Sequence, residues 1–144
     1  MSTANIQLAS TPLPSDLPFY NYGVSDIPAN TVVILDAANT VNNAVPGNTA
    51  LGAKLPATGG NPSLALGVTM EILKVGQTGR VRTQGIAIVT CDGAVTAGAA
   101  VDASPTVAGA AKAHVAAKNS LGQALISAAD TEQTLVLINP APNA

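Results

Sequence analysis

The chain has 144 residues, of which only 10% are charged, and a net charge of −2. It therefore lacks the clustered Lys and Arg that nucleic-acid phosphates require, and it has no apolar run of the ~18 residues that could span a membrane. So little charge is unusual for a free monomer and indicates a surface covered by a partner or by copies of the same chain.

The first 26 residues are predicted to form an extended N-terminal arm, followed by a single β domain over residues 27–144. Three prolines within seven positions disfavour a helix in the arm. All three aromatic residues lie close together here, where they can fold back on the domain or insert into a neighbour. We predict a partner contact at Pro18, Phe19, Tyr20 and Tyr22.

The domain begins with a β-branched run over residues 31–35, which predicts a strand buried on both faces. Residues 39–62 are rich in Pro and Gly and are predicted to be a long loop insertion that is functional or makes contacts. Two further strands, over residues 64–73 and 80–90, flank a glycine-containing turn.

The strand over residues 80–90 changes the parity of its apolar residues. Val81 and Thr83 share one face, whereas Ile86 and Ile88 have the opposite parity. We predict a β-bulge at Gly85, because one extra residue would turn both sets toward the core.

Arg80 and Arg82 lie two residues apart and therefore on one face of this strand. They are too few to bind nucleic acid. They can form a solvated face, or they can form salt bridges across a contact with a partner or a second subunit.

The C-terminal part is predicted to contain a short strand over residues 95–101 and a closing hairpin over 121–126 and 134–138. Residues 107–118 are rich in alanine and fit either a helix or an irregular strand. About seven short strands with at most one short helix predict an all-β fold, a small barrel or a sandwich.

The sequence also suggests an internal repeat. Gly67 precedes Val81 by 14 residues, and Gly122 precedes Val136 by the same distance. The turn and strand over residues 27–33 have a counterpart over 95–101. Either a duplication or the general likeness of hairpins explains this pattern.

Residues suited to catalysis are few. Cys91 and His114 lie 23 residues apart with nothing to orient the histidine, so we expect a buried thiol and a surface histidine. Asp92 and Asp102 are interpreted as turn residues. One His, one Cys and scattered acids do not make a metal site. We therefore predict no enzyme activity, no metal and no cofactor.

Several glycine-containing motifs occur in a fixed order: Leu-Gly-Val-Thr-Met from residue 66, Gly-Arg-Val-Arg from residue 79, Gly-Ile-Ala from residue 85 and Gly-Ala-Val-Thr-Ala-Gly from residue 93. With the closing hairpin, this order resembles the head decoration proteins of tailed phages, also called capsid-stabilising or cement proteins. The resemblance covers roughly residues 27–139, and neither the arm nor the loop 39–62 takes part. Its structural glycines are Gly67, Gly85, Gly98 and Gly122.

The resemblance implies a β-tulip or small-barrel fold and a homotrimer that binds the major capsid protein lattice on the outer surface of the icosahedral head. The protein would stabilise the head mechanically after synthesis in the host cytoplasm, with no nucleic acid, membrane or small-molecule substrate. The arm would contact the shell, so deleting residues 1–22 is expected to leave the trimer folded. The alternatives are another phage part, such as a tail-tube protein or a head-fibre base, and a non-viral surface- or carbohydrate-binding β module.

Overall fold

The computed structural model of the chain describes residues 15–40, 51–59 and 64–141. Within these ranges nearly all regular structure is β, as predicted, with one four-residue helix. The elements are β1 (Ser15–Tyr20), β2 (Val32–Leu35), α1 (Ala37–Thr40), β3 (Ala53–Lys54), β4 (Ala65–Thr69), β5 (Thr78–Thr90), β6 (Ala100–Ala103), β7 (Ala111–Ala113), β8 (Ser120–Ala124) and β9 (Gln133–Ala141).

The strands form one curled sheet in the order β3-β2-β4-β5-β9-β8-β6-β7, with β1 also paired to β5. All the strand pairs are antiparallel. The 13-residue strand β5 organises this sheet, because its first half pairs with β1 and β4 and its second half pairs with β9. The change of partner falls at Gly85, which has a φ of 108°. This left-handed backbone region favours glycine.

The two halves of β5 belong to two structurally equivalent units, which we call unit 1 (residues 15–84) and unit 2 (residues 85–141). Strands β1, β5, β4, β2 and β3 of unit 1 correspond in pairing to β5, β9, β8, β6 and β7 of unit 2. Gly67 pairs with Val33 in unit 1, as Gly122 pairs with Val101 in unit 2. The repeat suggested by the sequence is therefore present in the fold.

The loops between these strands repeat as well. Ile27 and Leu73 exchange two backbone hydrogen bonds of 3.0 and 2.8 Å, and Val95 and Ala128 exchange two of 2.9 and 3.1 Å. Each pair lies at the equivalent place in its unit. Two hairpins that share only their general shape would not also share these contacts between distant residues. The duplication therefore extends to the loops.

Each unit has its own core. The core of unit 1 consists of six buried residues with Leu66 packed against them: Phe19, Ile27, Val33, Ala53, Leu73 and Val81. The second and larger core contains residues of unit 2 together with Val32, Ala65 and Val68 from unit 1. Alternate residues of β2 thus enter different cores, which confirms the prediction of a strand buried on both faces.

The N-terminal arm and the long loop differ from their predictions. Residues 15–20 form β1 inside the sheet, so the described part of the predicted arm 1–26 belongs to the domain; residues 1–14 lie outside the described residues. The predicted loop 39–62 contains β3, whose Ala53 is in the core of unit 1; residues 41–50 and 60–62 are likewise outside the description. A two-residue strand is too short to leave a periodic signal in the sequence.

The predicted bulge at Gly85 is also corrected. The pairing of β5 with β9 runs without a shift from Gly85 to Thr90, and the irregularity in β5 lies opposite Ser15 and Asp16. Ile86 and Ile88 therefore remain 46% and 38% exposed, while Ala87 and Val89 are buried between them. Smaller side chains supply the tightly packed core of unit 2, and the two isoleucines face outward.

The ambiguous segment 107–118 contains β7 (Ala111–Ala113), which pairs with β6, so the irregular-strand alternative is the one found. The described residues contain nine strands where about seven are predicted, because β1 lies in the predicted arm and β3 in the predicted loop.

Candidate partner-binding face

The outer face of β5 changes character at Gly85. On the unit 1 side lie Asp16, Pro18, Arg80 and Arg82, which we call the charged half-face. On the unit 2 side lie Ile86, Ile88, Leu135 and Leu137, which we call the apolar half-face. The two sets occupy equivalent positions, because Asp16 pairs with Arg82 and Pro18 with Arg80 just as Ile86 pairs with Leu137 and Ile88 with Leu135.

The charged half-face is held by contacts within the chain. Arg82 donates two hydrogen bonds to the Asp16 carboxylate, at 2.8 and 3.2 Å, and a third to the backbone oxygen of Ile86 at 2.8 Å. Arg80 is 59% exposed and lies 3.7 Å from Asp16 and 3.3 Å from Glu71. Both arginines thus form salt bridges with acids of the same chain, whereas the predicted alternative placed those bridges across a contact with a partner or a second subunit.

The pairing with Arg82 makes the stability dependent on pH. The hydrogen bond from Arg82 lowers the pKa of Asp16 from its ordinary value of 3.8, against an opposing effect of burial. Because the folded pKa is the lower one, the stabilisation is present above the unfolded pKa and is lost as the pH falls through the folded value.

We expect Asp16→Asn to lower the free energy of unfolding by about 1–2 kcal/mol at pH 7, since it removes the charge from a two-bond pair that is largely shielded from solvent. The difference from the parent chain should shrink below pH 4, which urea unfolding between pH 2.5 and 7 would measure. Glu71→Gln is the matched control, because the pair of Glu71 with Arg80 is exposed and contributes little to the free energy of unfolding. An Asp16→Asn loss that is equal at all these pH values would contradict the assignment.

The apolar half-face carries no ionic groups, so salt bridges cannot hold it as they hold the charged half-face. Leu137 is 41% exposed, similar to the two isoleucines, and Leu135 is half-buried. Large apolar side chains grouped on a sheet face, at positions that carry charges in the sister unit, are typical of an interaction surface. The residues were expected in the core, so sequence reasoning missed this surface. Its signal was the alternation of Ile86 and Ile88 with Ala87 and Val89.

The aromatic residues of the predicted partner contact lie in different environments. Phe19 is 1% exposed in the core of unit 1, so its predicted contact with a partner is wrong for this fold. Tyr20 and Tyr22 are half-buried, with ring centroids 4.4 Å apart and an interplanar angle of 48°. Pro18 is exposed beside Arg80.

The four predicted structural glycines have two kinds of environment. Gly67 and Gly122 lie in β4 and β8, where a Cβ atom would come within 2.1 Å of the Arg82 oxygen and 2.0 Å of the Leu137 oxygen, respectively. Gly98 lies in a turn with a φ of 88°, and Gly85 is at the change of partner in β5.

A buried acid and a histidine form a contact that the sequence did not reveal. Asp102 lies in β6 and not in a turn, and His114 Nδ1 is 2.6 Å from its Oδ1 atom. The backbone NH of Val115 donates to the same carboxylate at 3.0 Å. The histidine side chain is 20% exposed, so it lies partly at the surface, and the Asp102 carboxylate orients it. The strand pairing of β6 with β7 places the two residues together.

Two other polar residues serve the structure. Asp92 accepts hydrogen bonds from the hydroxyls of Ser104 and Thr106, which lower its pKa. Cys91 is buried as predicted, and burial raises the pKa of its thiol, which disfavours the reactive thiolate.

Neither a metal site nor a membrane helix is found in the part of the chain that the structure describes. No group of three or more His, Cys, Asp or Glu side chains is arranged there to hold a metal ion. No helix in that part has the length and apolarity needed to cross a membrane.

Comparison with known proteins finds a similar fold but no related sequence. No protein-family description and no curated protein sequence matches this chain. A solved structure with a similar fold is the N base of head fibre gp8.5 from bacteriophage phi29, with a TM-score of 0.58 and 12% sequence identity, over 88% of this chain and 95% of that one. At this identity the likeness is one of fold.

Proposed function

We propose that the protein is a structural component of a phage head, located on the outer surface of the capsid and bound to the major capsid protein. The observation that carries the proposal is the fold shared with a head fibre base over nearly the whole of both chains. The low charge of the sequence agrees with a surface that is covered in an assembled particle. The proposed role is mechanical and needs no catalysis, cofactor or small-molecule substrate.

Two forms of this role remain candidates. In the first, the protein is a decoration protein that sits as a homotrimer on the capsid lattice and stabilises it through many contacts repeated by symmetry. In the second, it is the base of a head fibre, which the fold likeness favours. A tail-tube protein and a carbohydrate-binding module have no comparable support.

The exposed part of the charged half-face is our candidate for the contact with the shell. Pro18 and Arg80 are exposed there, and Tyr20 and Tyr22 are half-buried farther along the same segment. Arg82 holds Asp16 in place at this surface by donating two hydrogen bonds to its carboxylate. Arg80 can exchange its exposed salt bridge for one with a capsid acid at little cost, because exposed pairs contribute little to stability.

The test uses phage heads that lack the protein, before and after expansion, mixed with the purified chain. We expect it to cosediment with expanded heads, and electron microscopy should place it on the outer surface. Saturation at every three-fold lattice position indicates decoration, whereas binding at fewer, fibre-bearing positions indicates a fibre base. No binding to either form of the head would refute the proposed function.

A point variant tests the contact surface separately. Arg80→Ala is expected to weaken binding to heads about 10-fold, the order of one desolvated charge contact, with an unchanged melting temperature. Lys74→Ala removes an exposed cation outside the charged half-face and is the matched control. Equal affinities for the two variants would remove Arg80 from the contact.

A further inference from the structure

The outer face of unit 1 is packed against unit 2. Val32 and Val68 pair across β2 and β4, and both lie in the core of unit 2, whereas Val33, the next residue of β2, lies in the core of unit 1. The backbone NH of Val32 donates to the oxygen of Gly109 in unit 2 at 2.8 Å. Unit 2 is thus covered by an apolar sheet face that points outward from its neighbour.

Three leucines lie at one end of unit 1. Leu17 and Leu66 are near the first residues of β1 and β4, which run in the same direction because both are antiparallel to β5. Leu35 is the last residue of β2, which runs the opposite way. Leu17 and Leu35 are 45% and 41% exposed, and Leu66 is half-buried. We call this set the leucine end of unit 1.

The same end of unit 2 is closed. Ala87, Ala103 and Leu121 occupy the equivalent positions by strand pairing, and they are 3%, 2% and 0% exposed. All three belong to the same core as Val32 and Val68 of unit 1. The arrangement within the chain therefore shows what can close this end: an apolar sheet face that points outward from a neighbouring unit.

We propose that copies of the chain associate head to tail, with the apolar half-face of one copy packed on the leucine end of unit 1 in the next. The contact within the chain defines the surface that fits this end, an uncharged sheet face that points outward. Ile86, Ile88 and Leu137 form an exposed face of this kind. It continues past β8 through Leu125, which is 37% exposed and whose NH donates to the Leu135 oxygen at 2.8 Å.

The other outward sheet faces of the described strands carry charged side chains. The charged half-face contains two arginines and an aspartate. On the outer face of β6 and β7, Asp102 pairs with Lys112, and on that of β2 and β3, Ile34 pairs with Lys54. Placing such groups on an apolar end costs free energy unless they find partners there. The apolar half-face is therefore the surface that a second copy offers.

The two contact surfaces belong to different units, so the association is heterologous. Each copy presents one surface to the copy before it and the other surface to the copy after it. Contacts of this type form a closed ring when the rotation between copies closes, and an open filament when it does not. In both cases the burial of apolar side chains drives the association, and the low charge of the chain agrees with surfaces covered in this way.

The first measurement is the mass of the purified chain by sedimentation over a series of concentrations. Leu35→Glu places a carboxylate on the leucine end, and Ile88→Glu places one on the apolar half-face. Each is expected to weaken the association by about 10-fold or more, because an unpaired charge is costly to bury. Ile72→Glu is the matched control, since Ile72 is 54% exposed between β4 and β5 and belongs to neither surface. Its association should equal that of the parent chain.

Mixing the two variants distinguishes a head-to-tail contact from other contacts. The Leu35→Glu chain keeps its apolar half-face and the Ile88→Glu chain keeps its leucine end, so one intact contact can form between them. At a concentration where each variant alone is a monomer, we expect the mixture to contain a complex of one chain of each variant. Its affinity should be close to that of a single contact in the parent chain.

Circular dichroism verifies that each variant keeps the native fold, and Leu17→Glu or Leu125→Glu replaces a variant that does not. Three results would overturn the proposal: a parent chain that is a monomer at every concentration, association that Ile88→Glu abolishes and Leu35→Glu leaves intact, or no complex in the mixture. The second result would show that the apolar half-face pairs with its own copy. Both measurements use the chain without heads, so their outcome is independent of the proposed function.

Discussion

Replacing Phe19 with alanine is expected to lower the free energy of unfolding by about 3–5 kcal/mol, the usual cost of truncating a buried phenylalanine. Phe19 is the largest side chain in the core of unit 1, where it packs among residues such as Leu73 and Val81. Unit 1 has only a few large side chains to fill the resulting cavity. Chemical unfolding monitored by circular dichroism measures the loss.

Leu17→Ala is the matched control, because Leu17 lies two residues earlier in β1 and is 45% exposed. Its loss should be about 1 kcal/mol or less. Equal losses for Phe19→Ala and Leu17→Ala would contradict the placement of Phe19 in the core. The same reasoning reverses the expectation for deletion of residues 1–22: the deletion removes β1 and Phe19, so unit 1 should unfold.

The sequence predicted strands well where the apolar residues are continuous or alternate over several positions, as in β2, β5 and the closing hairpin of β8 and β9. The sequence did not predict β1, because this segment contains a proline and polar residues and has only one buried side chain, that of Phe19. Phe19 pairs opposite Gly79, and an added Cβ atom at Gly79 would meet Leu73 of the same core. Such a pairing joins residues 60 positions apart and leaves no local signal.

The apolar half-face was harder to predict than the fold. Isoleucine has a high strand propensity on either face of a sheet, so Ile86 and Ile88 were assigned to the core. Their exposure follows from the register with β9 and from the small residues that the second core requires. Likewise, the contact of Asp102 with His114 depends on the pairing of β6 with β7, which sequence spacing alone does not specify.

The duplication explains why the two halves of the outer face can differ. Both units need apolar inward residues to form their cores, whereas the outward positions are free to change independently. Unit 1 carries a salt-bridged surface at the positions where unit 2 carries four apolar side chains. One repeated scaffold therefore presents two chemically different surfaces side by side.

Gly67→Ala and Gly122→Ala are each expected to destabilise the protein by about 3 kcal/mol, at the upper end of the cost of overpacking. The added methyl group would meet a backbone oxygen of the neighbouring strand at 2.1 or 2.0 Å, respectively. A backbone oxygen cannot rotate away as a side chain can, so β4 must separate from β5, or β8 from β9. Thermal or urea unfolding measures the loss.

Gly98→Ala is the control for replacing a glycine where the added methyl group meets no neighbouring atom. Its φ of 88° strains any other residue, but no atom lies within 4 Å of the added methyl group, so a loss of about 1–2 kcal/mol is expected. Because β5 belongs to both units, the Gly67 and Gly122 variants should each shift a single unfolding transition of the whole chain. Two separate transitions, of which each substitution moves only one, would show that the units fold independently and that β5 does not couple them.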